Sequence, residues 1–404
     1  MIQIAQKKDC CGCEACVQAC PKKCISLSYD HEGFGYPSVE KDKCVECGLC
    51  ERVCPVANYV EPDSLQKCYV IQNKDPNVVR ESASGGGFSI FADYVLQHNG
   101  VVFGAAYTDS LEVEHTYIES SSELGKLRCS KYVQSRIGNT YAKVKEFLDE
   151  GRLVCFAGTP CQVYGLWMYL KKPNNPNLIL VDFACHGVPS PKVWKKYLAW
   201  LQSKNDSSLK SYRFRDKKFG YQYTTFSAKY EDGTDYVISD CNNDRDFMKD
   251  SFFRDVVSRP SCYNCKFKSV KHVSDVTLFD CWHNEELTGT TDYSDGATTI
   301  ILHTQRATEL IDEIKVRAKC TEADLDKAVE LDGVCLVYSK LPFAQRKEYF
   351  EDLDTLTVEE MNKKYFLNSG NNPIKECIKA FLRKVGLFDW LRNKIAKRRT
   401  KNMS

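Results

Sequence analysis

The chain has 404 residues, enough for roughly two or three domains with buried cores. Its formal net charge is +2 at pH 7 and 27% of its residues are charged, so the charge does not indicate a nucleic-acid partner. The start, MIQIAQKKDCC, lacks the apolar core of a secretory signal, and no run of about 18 apolar residues predicts a transmembrane segment. Because the 22 cysteines favour a reducing compartment, we expect a cytoplasmic protein.

The beginning of the chain carries a repeated cysteine motif. Residues 10–21 read CCGCEACVQACP and residues 44–55 read CVECGLCERVCP, so Cys-x2-Cys-x2-Cys-x3-Cys-Pro occurs twice. This is the bacterial ferredoxin pattern, in which three closely spaced thiolates hold one cluster and the fourth ligates the other. We therefore predict two 4Fe-4S clusters. The first set of ligands is Cys10, Cys13, Cys16 and Cys54, and the second set is Cys20, Cys44, Cys47 and Cys50.

A zinc site and a disulfide framework are the alternatives to clusters at this motif. Cys-x2-Cys pairs also hold zinc, and cysteine-rich secreted domains form disulfides. Neither accounts for triplets of cysteines or for a proline after each fourth cysteine. Cys11 and Cys24 lie outside the pattern, and we interpret them as bystanders, with Cys11 a substitute ligand in a damaged site.

The elements that follow predict a different kind of domain. Residues 24–44 alternate apolar and polar side chains around a glycine turn, which predicts a hairpin. After a linker, strand-like and helix-like segments alternate up to about residue 205, as in an α/β body. Residues 207–240 then alternate in short segments that are typical of antiparallel strands.

Four later cysteines lie in turn-like settings beside glycine or proline. Thr159 and Pro160 predict the start of a helix, which places Cys161 in its first turn. There the helix dipole stabilises a thiolate. Spacing alone leaves a cluster, a zinc site and a reactive thiol all open. The four, which we call the body set, are Cys161, Cys185, Cys262 and Cys265.

The end of the chain, NPIKECIKAFLRKVGLFDWLRNKIAKRRTKNMS, places apolar residues on one helical face with basic residues around it. We interpret it as a helix packed on the protein's own body, followed by a solvated basic tail. Peripheral contact with a membrane surface, or docking on a partner helix, is the alternative.

After the ferredoxin motifs, a succession of segments resembles the family of coenzyme F-420 (deazaflavin) hydrogenase and dehydrogenase beta subunits. The segments are SASGGGFS, LRCSKYVQS, FAGTPCQ, DFACHGVPSPKVW, FRDK and RPSCYNCKFK, and their order is more specific than any one of them. The resemblance implies an α+β chain: a small bacterial-type ferredoxin domain, a larger mixed α/β flavoprotein-like body and a helical basic tail. The implied regions are 1–62 (ferredoxin), 66–150 (flavin), 151–340 (cluster and substrate) and 341–404 (tail).

The resemblance also implies cofactors. It favours a third 4Fe-4S cluster on the body set, and FAD. Bare glycine amides at a helix start can approach an anionic pyrophosphate, and a cation and a ring suit an isoalloxazine. An ordinary loop and an ordinary surface segment are the alternatives. The flavin candidates are the glycine loop, Ser84, Gly85, Gly86 and Gly87, together with Lys131, Tyr132 and Gln134.

One segment departs from the family pattern. Many members carry a glycine-rich DxTxGDxWG segment where this chain has DVTLFDCWH, and we expect the bulk of Phe279 and Cys281 to reshape the pocket beside the flavin. This puts the deazaflavin in doubt as the natural substrate. His283 in this segment and His186 become candidate catalytic proton donors, with a structural role as the alternative for each.

These features together predict an oxidoreductase. Electrons would pass between a redox partner protein, the ferredoxin clusters and a flavin, and then to or from a deazaflavin or another small molecule. Three alternatives remain: a non-catalytic electron-transfer subunit of a larger complex, a flavin-dependent reductase of cell-envelope polysaccharide biosynthesis, and a zinc-stapled scaffold.

Overall fold

The computed structural model of the protein describes residues 1–293 and 295–367. Met1–Phe350 form one compact unit, and the described residues from Glu351 onward belong to a second. The apolar and basic face predicted for the end of the chain lies outside the described residues. Within them, no helix is long and apolar enough to cross a membrane.

The ferredoxin domain is built from two matching halves. Each half-motif contains a single turn of helix, α1 (Ala15–Gln18) or α2 (Leu49–Arg52), which starts after a residue with positive φ. The predicted hairpin between the halves is confirmed, because β1 (Ile25–Tyr29) pairs antiparallel with β2 (Gly35–Val39).

The body contains two sheets. The larger has eight strands in the order β13-β3-β12-β11-β7-β6-β4-β5, of which β4, β6, β7 and β11 run parallel to one another. The smaller, β10-β9-β8, is antiparallel, as the alternation of residues 207–240 predicts. The strands are β3 (Lys67–Asn73), β4 (Val101–Tyr107), β5 (Val113–Ile118), β6 (Val154–Ala157), β7 (Leu178–Phe183), β8 (Leu209–Arg213), β9 (Thr225–Tyr230), β10 (Asp235–Ser239), β11 (Val276–Cys281), β12 (Ala297–Leu302) and β13 (Ala318–Glu322).

Helices alternate with these strands, so the predicted mixed α/β body is confirmed. A π-helical turn, Lys363–Leu367, ends the described residues. The helices are α3 (Pro76–Glu81), α4 (Gly87–Gln97), α5 (Thr140–Asp149), α6 (Pro160–Tyr169), α7 (Pro191–Gln202), α8 (Phe247–Phe253), α9 (Asn284–Thr288), α10 (Gln305–Glu309), α11 (Ile311–Arg317), α12 (Leu325–Leu331), α13 (Val334–Val337), α14 (Arg346–Asp352) and α15 (Val358–Asn362).

The central strands are buried on both faces. In β6, Val154 and Phe156 pack into the core beside α5 and α6, whereas Cys155 faces the opposite core beside α4. Ala15, Val53 and Val56 of the ferredoxin domain belong to the same core as α6. The ferredoxin domain therefore packs on the body through a shared apolar core.

A polar network lies inside the sheet where β7, β11 and β12 meet. The buried Asp182 carboxylate lies 2.8 Å from His272 Nδ1 and accepts a hydrogen bond from the Thr277 hydroxyl, which also lies 2.8 Å from His303 Nε2. Burial opposes the charged form of His272, but Asp182 outweighs it and raises the pKa of His272. Burial lowers the pKa of His303 to about 3. The network therefore holds one charged pair and one neutral imidazole.

We predict that Gly85→Ala destabilises the protein by about 1–3 kcal/mol. A Cβ atom on Gly85 would lie 2.7 Å from the Ile71 carbonyl oxygen and 2.8 Å from the Thr298 nitrogen, and neither backbone atom can move aside. Gly125→Ala is the control, because a Cβ atom there would meet nothing within 4 Å. Urea unfolding of the anaerobically purified variants measures the difference, and equal stability of the two would contradict the prediction.

We also predict that His272→Gln destabilises the protein by roughly 3–5 kcal/mol at pH 6.5, because it leaves the buried Asp182 carboxylate unpaired. The folded-state pKa of His272 is raised, so the stabilising pair is complete below the unfolded value of about 6.5 and is lost as the pH rises through the folded-state pKa. The wild type should therefore lose stability between pH 6.5 and alkaline pH more steeply than the variant. His31→Gln, at an exposed histidine, should change neither the stability nor its pH slope.

Candidate functional site

The second set of cysteines surrounds a cavity at the surface of the ferredoxin domain. Its volume is about 360 Å³, and all four members of the set line it. Cys47 is exposed, and the neighbouring Val45 is 57% exposed. Cys24, predicted to be a bystander, also lines this cavity, with its sulfur 3.4 Å from that of Cys20.

The first set surrounds a second cavity, on the side of the ferredoxin domain that faces the body. Its volume is about 400 Å³, and apolar side chains such as Ile2, Ile4 and Leu27 complete its wall. Each cavity thus gathers three cysteines of one half-motif and the fourth of the other, which is the arrangement that the spacing predicts.

The spacing of these thiols suits a group larger than a single ion. Throughout residues 1–293 and 295–367, no three cysteine, histidine, aspartate or glutamate side chains are close enough together to hold one metal ion. Zinc would need its thiolates at about 2.3 Å from a common centre. The donor sets around the cavities therefore fit iron-sulfur clusters better than zinc.

The body set is assembled at one edge of the large sheet. Cys161 follows β6 and Cys185 follows β7, and the carboxyl ends of neighbouring parallel strands meet at the same edge. Thr159 and Pro160 start α6 as predicted, with a capping box between Thr159 and Gln162. Cys262 lies in the 3₁₀ turn Pro260–Asn264, and Cys265 directly follows it.

These four cysteines line one pocket of about 760 Å³, a volume that includes the solvent at its mouth. Cys11 and Cys335 also line it, so six thiols face this space. His186 and His272 form part of the wall as well.

The thiols of the body set are held in their neutral form. The hydrogen bond with Cys11, followed by burial, raises the pKa of Cys161 well above its ordinary value, and burial raises the pKa of Cys262 to about 12. The predicted stabilisation of a Cys161 thiolate by the helix N-terminus is therefore outweighed. Neutral thiols are poor nucleophiles, whereas a bound metal displaces their protons. This chemistry favours a ligand role over a reactive thiol.

Cys11 lies between the first set and the body set. Its side chain is only 8% exposed, it hydrogen-bonds to Cys161, and it lines both cavities, as does Val56. The bystander of the sequence motif therefore forms part of the wall that the two cavities share.

Arg259 lies against the same wall and has no solvent exposure. Its guanidinium donates from Nη2 to the Cys10 sulfur at 3.4 Å, from Nε to the Cys10 carbonyl at 2.7 Å and from Nη1 to Gln134 Oε1 at 3.1 Å. Its backbone carbonyl accepts a hydrogen bond from the Cys262 amide at 2.8 Å. One residue thus contacts ligands of both the first set and the body set.

The glycine loop packs tightly against the sheet. Ser84 Oγ lies 2.8 Å from Thr298 Oγ1, and the Gly85 amide donates to the same oxygen, so that amide is already used. Gly86 has a φ of 80° and Gly87 begins α4. Part of the glycine content therefore serves helix-sheet packing.

Cations surround this loop. Arg215 Nη2 donates to the Ala83 carbonyl, Lys217 Nζ donates to the Ser84 carbonyl at 2.5 Å, and Arg128 Nε donates to Ser89 Oγ. Burial lowers the pKa of Lys217 to about 8. The positive charge makes the loop suitable for an anionic ligand.

The three flavin candidates of the SKYVQS segment do not converge on one point. Lys131 Nζ donates to the Arg128 carbonyl at 2.9 Å, and burial lowers the pKa of Lys131 to about 8. The Tyr132 ring stacks on Phe252 at 4.3 Å. Gln134 is turned towards the ferredoxin domain, where its amide donates to the Cys11 and Gly12 carbonyls.

The two candidate catalytic histidines are each paired with an acid. His186 Nε2 lies 2.7 Å from Asp255, and His283 Nδ1 lies 2.7 Å from Asp332. His186 lines the body pocket and its ring contacts Phe252 at 4.8 Å.

The departure from the family pattern in DVTLFDCWH lies mostly in the core. Phe279 and Cys281 are buried in apolar clusters. The intervening Asp280 points the other way and pairs with Arg215 at 2.7 Å. The expectation that Phe279 and Cys281 reshape a flavin pocket is therefore wrong, because strand alternation buries both.

Sequence reasoning missed several residues of the site. FRDK and RPSCYNCKFK marked the positions of Arg215, Lys217 and Arg259 without giving them a role. Asp182 had a signal, an acid inside the buried strand LILVDFAC. His272 had none, since it enters the site only through the fold.

Comparisons with known proteins agree with these observations. The family model for the C terminus of the coenzyme F420 hydrogenase/dehydrogenase beta subunit matches residues 151–328, and the model described as "4Fe-4S dicluster domain" matches residues 9–58. The F subunit of the F(420)H(2) dehydrogenase from Methanosarcina mazei is 21% identical over 66% of this chain and 80% of its own length. Ferredoxin 7Fe of Hydrogenibacillus schlegelii is 38% identical over 15% of this chain and 76% of its own length.

A chain of the F420-reducing [NiFe] hydrogenase complex from Methanosarcina barkeri aligns with a TM-score of 0.43 and 13% identity, over 76% of this chain and 94% of that one. That score is too low to identify a shared fold. The two family models cover the ferredoxin motifs and the region from β6 to α12 that holds the body set. The chain therefore belongs to the family of coenzyme F420 hydrogenase/dehydrogenase beta subunits and carries a 4Fe-4S dicluster domain at residues 9–58.

Proposed function

We propose that this chain is an iron-sulfur flavoprotein oxidoreductase. It exchanges electrons between a redox partner protein and a deazaflavin or another small molecule, through three 4Fe-4S clusters and FAD. When bound, the clusters would carry single electrons, and the flavin would couple them to a two-electron reaction. The proposed ligands are the first set, the second set and the body set.

The continuity of the three cavities is the observation that carries this proposal. Cysteines of the first and second sets pack in one apolar cluster inside the ferredoxin domain. Cys11 and Val56 then line both the first cavity and the body pocket. A ferredoxin domain tethered by a flexible linker would not need such a shared wall, so the arrangement supports electron transfer into the body.

The residues beyond the body pocket support a flavin near the glycine loop. The His186 ring contacts Phe252, which stacks on Tyr132, so aromatic rings lead away from the pocket wall. The cations Arg128, Arg215 and Lys217 surround the loop and suit the phosphates of FAD. Ser84, Gly86, Gly87, Lys131 and Tyr132 remain the candidate flavin contacts, whereas the contacts of Gln134 favour a structural role.

Two further roles belong to the proposal. Asp255 and Asp332 would orient His186 and His283 as proton donors. The similarity to a protein of the F(420)H(2) dehydrogenase supports a deazaflavin as the small molecule. The exposed side of the second cavity, at Val45 and Cys47, is where we expect the redox partner protein to approach in the cytoplasm.

Metal and flavin analysis tests this proposal. We expect about 12 iron atoms and about one FAD per chain after anaerobic purification. Cys161→Ala should lose about four iron atoms, since alanine cannot ligate iron. Cys335→Ala is the matched control in the same pocket and should retain all of them.

Each alternative result has a distinct meaning. About eight iron atoms in the wild type would leave the body set without a cluster. Full iron without flavin would favour the non-catalytic electron-transfer role. Zinc in place of iron would favour the scaffold. Loss of iron in Cys335→Ala but not in Cys161→Ala would change the ligand assignment.

The crossed ligation can be tested with pairs of substitutions. If Cys20 and Cys47 ligate the same cluster, Cys20→Ala combined with Cys47→Ala should lose about four iron atoms, no more than either alone. Cys54→Ala combined with Cys47→Ala should lose about eight, because two clusters are affected. The reverse result would mean that each half-motif holds its own cluster.

A further inference from the structure

Arg259 is a buried cation whose counter-charge is not a carboxylate. The side chain has no solvent exposure. Its four hydrogen-bond acceptors are the Cys10 carbonyl, the Cys10 sulfur, the Gln134 amide oxygen and the Gly35 carbonyl. The faces of Tyr36 and Phe34 lie at 4.4 and 5.4 Å from its Cζ atom. A buried charge is costly unless it is paired, and neutral acceptors alone do not balance it.

The acids near Arg259 are occupied elsewhere. Glu14, on the same loop of the first half-motif, accepts from the amides of Ile137 and Gly138 with its two carboxylate oxygens, both at 3.0 Å. Glu32 is bound bidentately by Arg346, at 2.6 and 2.7 Å. The remaining candidate for an anion in contact with Arg259 is the Cys10 sulfur, which becomes a thiolate when it ligates iron.

We propose that Arg259 is the counter-ion of the cluster held by the first set and that it raises the reduction potential of this cluster. The inference rests on the proposed function, because it requires that cluster. Reduction adds one electron and one negative charge to the cluster, without making or breaking a bond. A fixed positive charge and an N–H donor on a ligand sulfur stabilise the more negative state, and both therefore favour reduction.

The surroundings fix the guanidinium in this position. A Cβ atom on Gly12 would lie 2.3 Å from Gln134 Nε2 and 2.7 Å from Arg259 Nη1, and the φ of Gly12 is 70°. Glycine at this point of the first half-motif thus allows Gln134 and Arg259 to reach the loop. The backbone of Arg259 is held on the body side by Val188 and Cys262.

The position of Arg259 gives the electron a direction. It contacts the first set, next to the body pocket, whereas the second set lies at the surface. Raising the potential of the inner cluster favours movement of an electron from the second cluster to the first. Arg259 is therefore a positioning residue for electron transfer into the body.

The test is a redox titration followed by electron paramagnetic resonance, on the full chain purified anaerobically. In Arg259→Gln, the ratio of reduced to oxidised inner cluster at a fixed solution potential should fall about tenfold, a shift of about 59 mV for a one-electron couple. The other clusters should keep their potentials. Arg259→Lys retains the charge and should shift the potential less.

Two controls give the shift its meaning. Arg52→Gln removes an exposed charge from the same domain and should shift no cluster by a comparable amount. Cys47→Ser alters a ligand of the second set and so identifies the signal of the surface cluster. If the potential that moves in Arg259→Gln belongs to the surface cluster, or if no potential moves, the inference is wrong.

A second variant covers the case in which Arg259→Gln loses its inner cluster. Gln134→Glu places a carboxylate where Gln134 Oε1 now lies, 3.1 Å from Arg259 Nη1, and neutralises the guanidinium without removing it. It should lower the potential of the same cluster. An unchanged potential in this variant would overturn the inference, whereas a wild type without clusters would instead overturn the proposed function.

Discussion

The contact between the first ferredoxin half-motif and the loop that carries Arg259 is the constraint on which the rest of the site depends. It joins a domain whose sequence would suit a free carrier to a body with its own cysteines. The join is apolar as well as polar, since Val56 belongs to the same buried core as α6. Because the core is shared, the distance between the first cavity and the body pocket is fixed by packing and does not depend on diffusion of a tethered domain.

Local chemistry explains what could be predicted from the sequence. The ferredoxin ligands are close together in the chain, so their spacing alone indicates which cysteines share a cavity, including the exchange of Cys20 and Cys54. The start of α6 at Thr159 and Pro160 is predictable for the same reason, because a helix cap is a local structure. Strand-helix alternation likewise predicts the mixed body, although not the order of strands in its sheet.

What could not be predicted depends on contacts between distant residues. Cys11 is adjacent to a ligand in the sequence, but only the fold places it against Cys161. The glycine loop shows the opposite problem: its residues suggest phosphate binding, whereas Gly85 is required by the close approach of Ile71 and Thr298. Comparison of the DVTLFDCWH motif without its strand alternation assigns the side chains of Phe279 and Cys281 to the wrong side of β11.

The large sheet explains how one body can hold both a cluster site and a flavin site. β6 and β7 deliver Cys161 and Cys185 to one edge, and the antiparallel neighbours β3 and β12 form the surface on which the glycine loop packs. Regions 66–150 and 151–340 therefore contribute strands to the same sheet. A change in the packing of the glycine loop would consequently reach the cluster edge through the strands between them, so the two sites cannot vary independently within this fold.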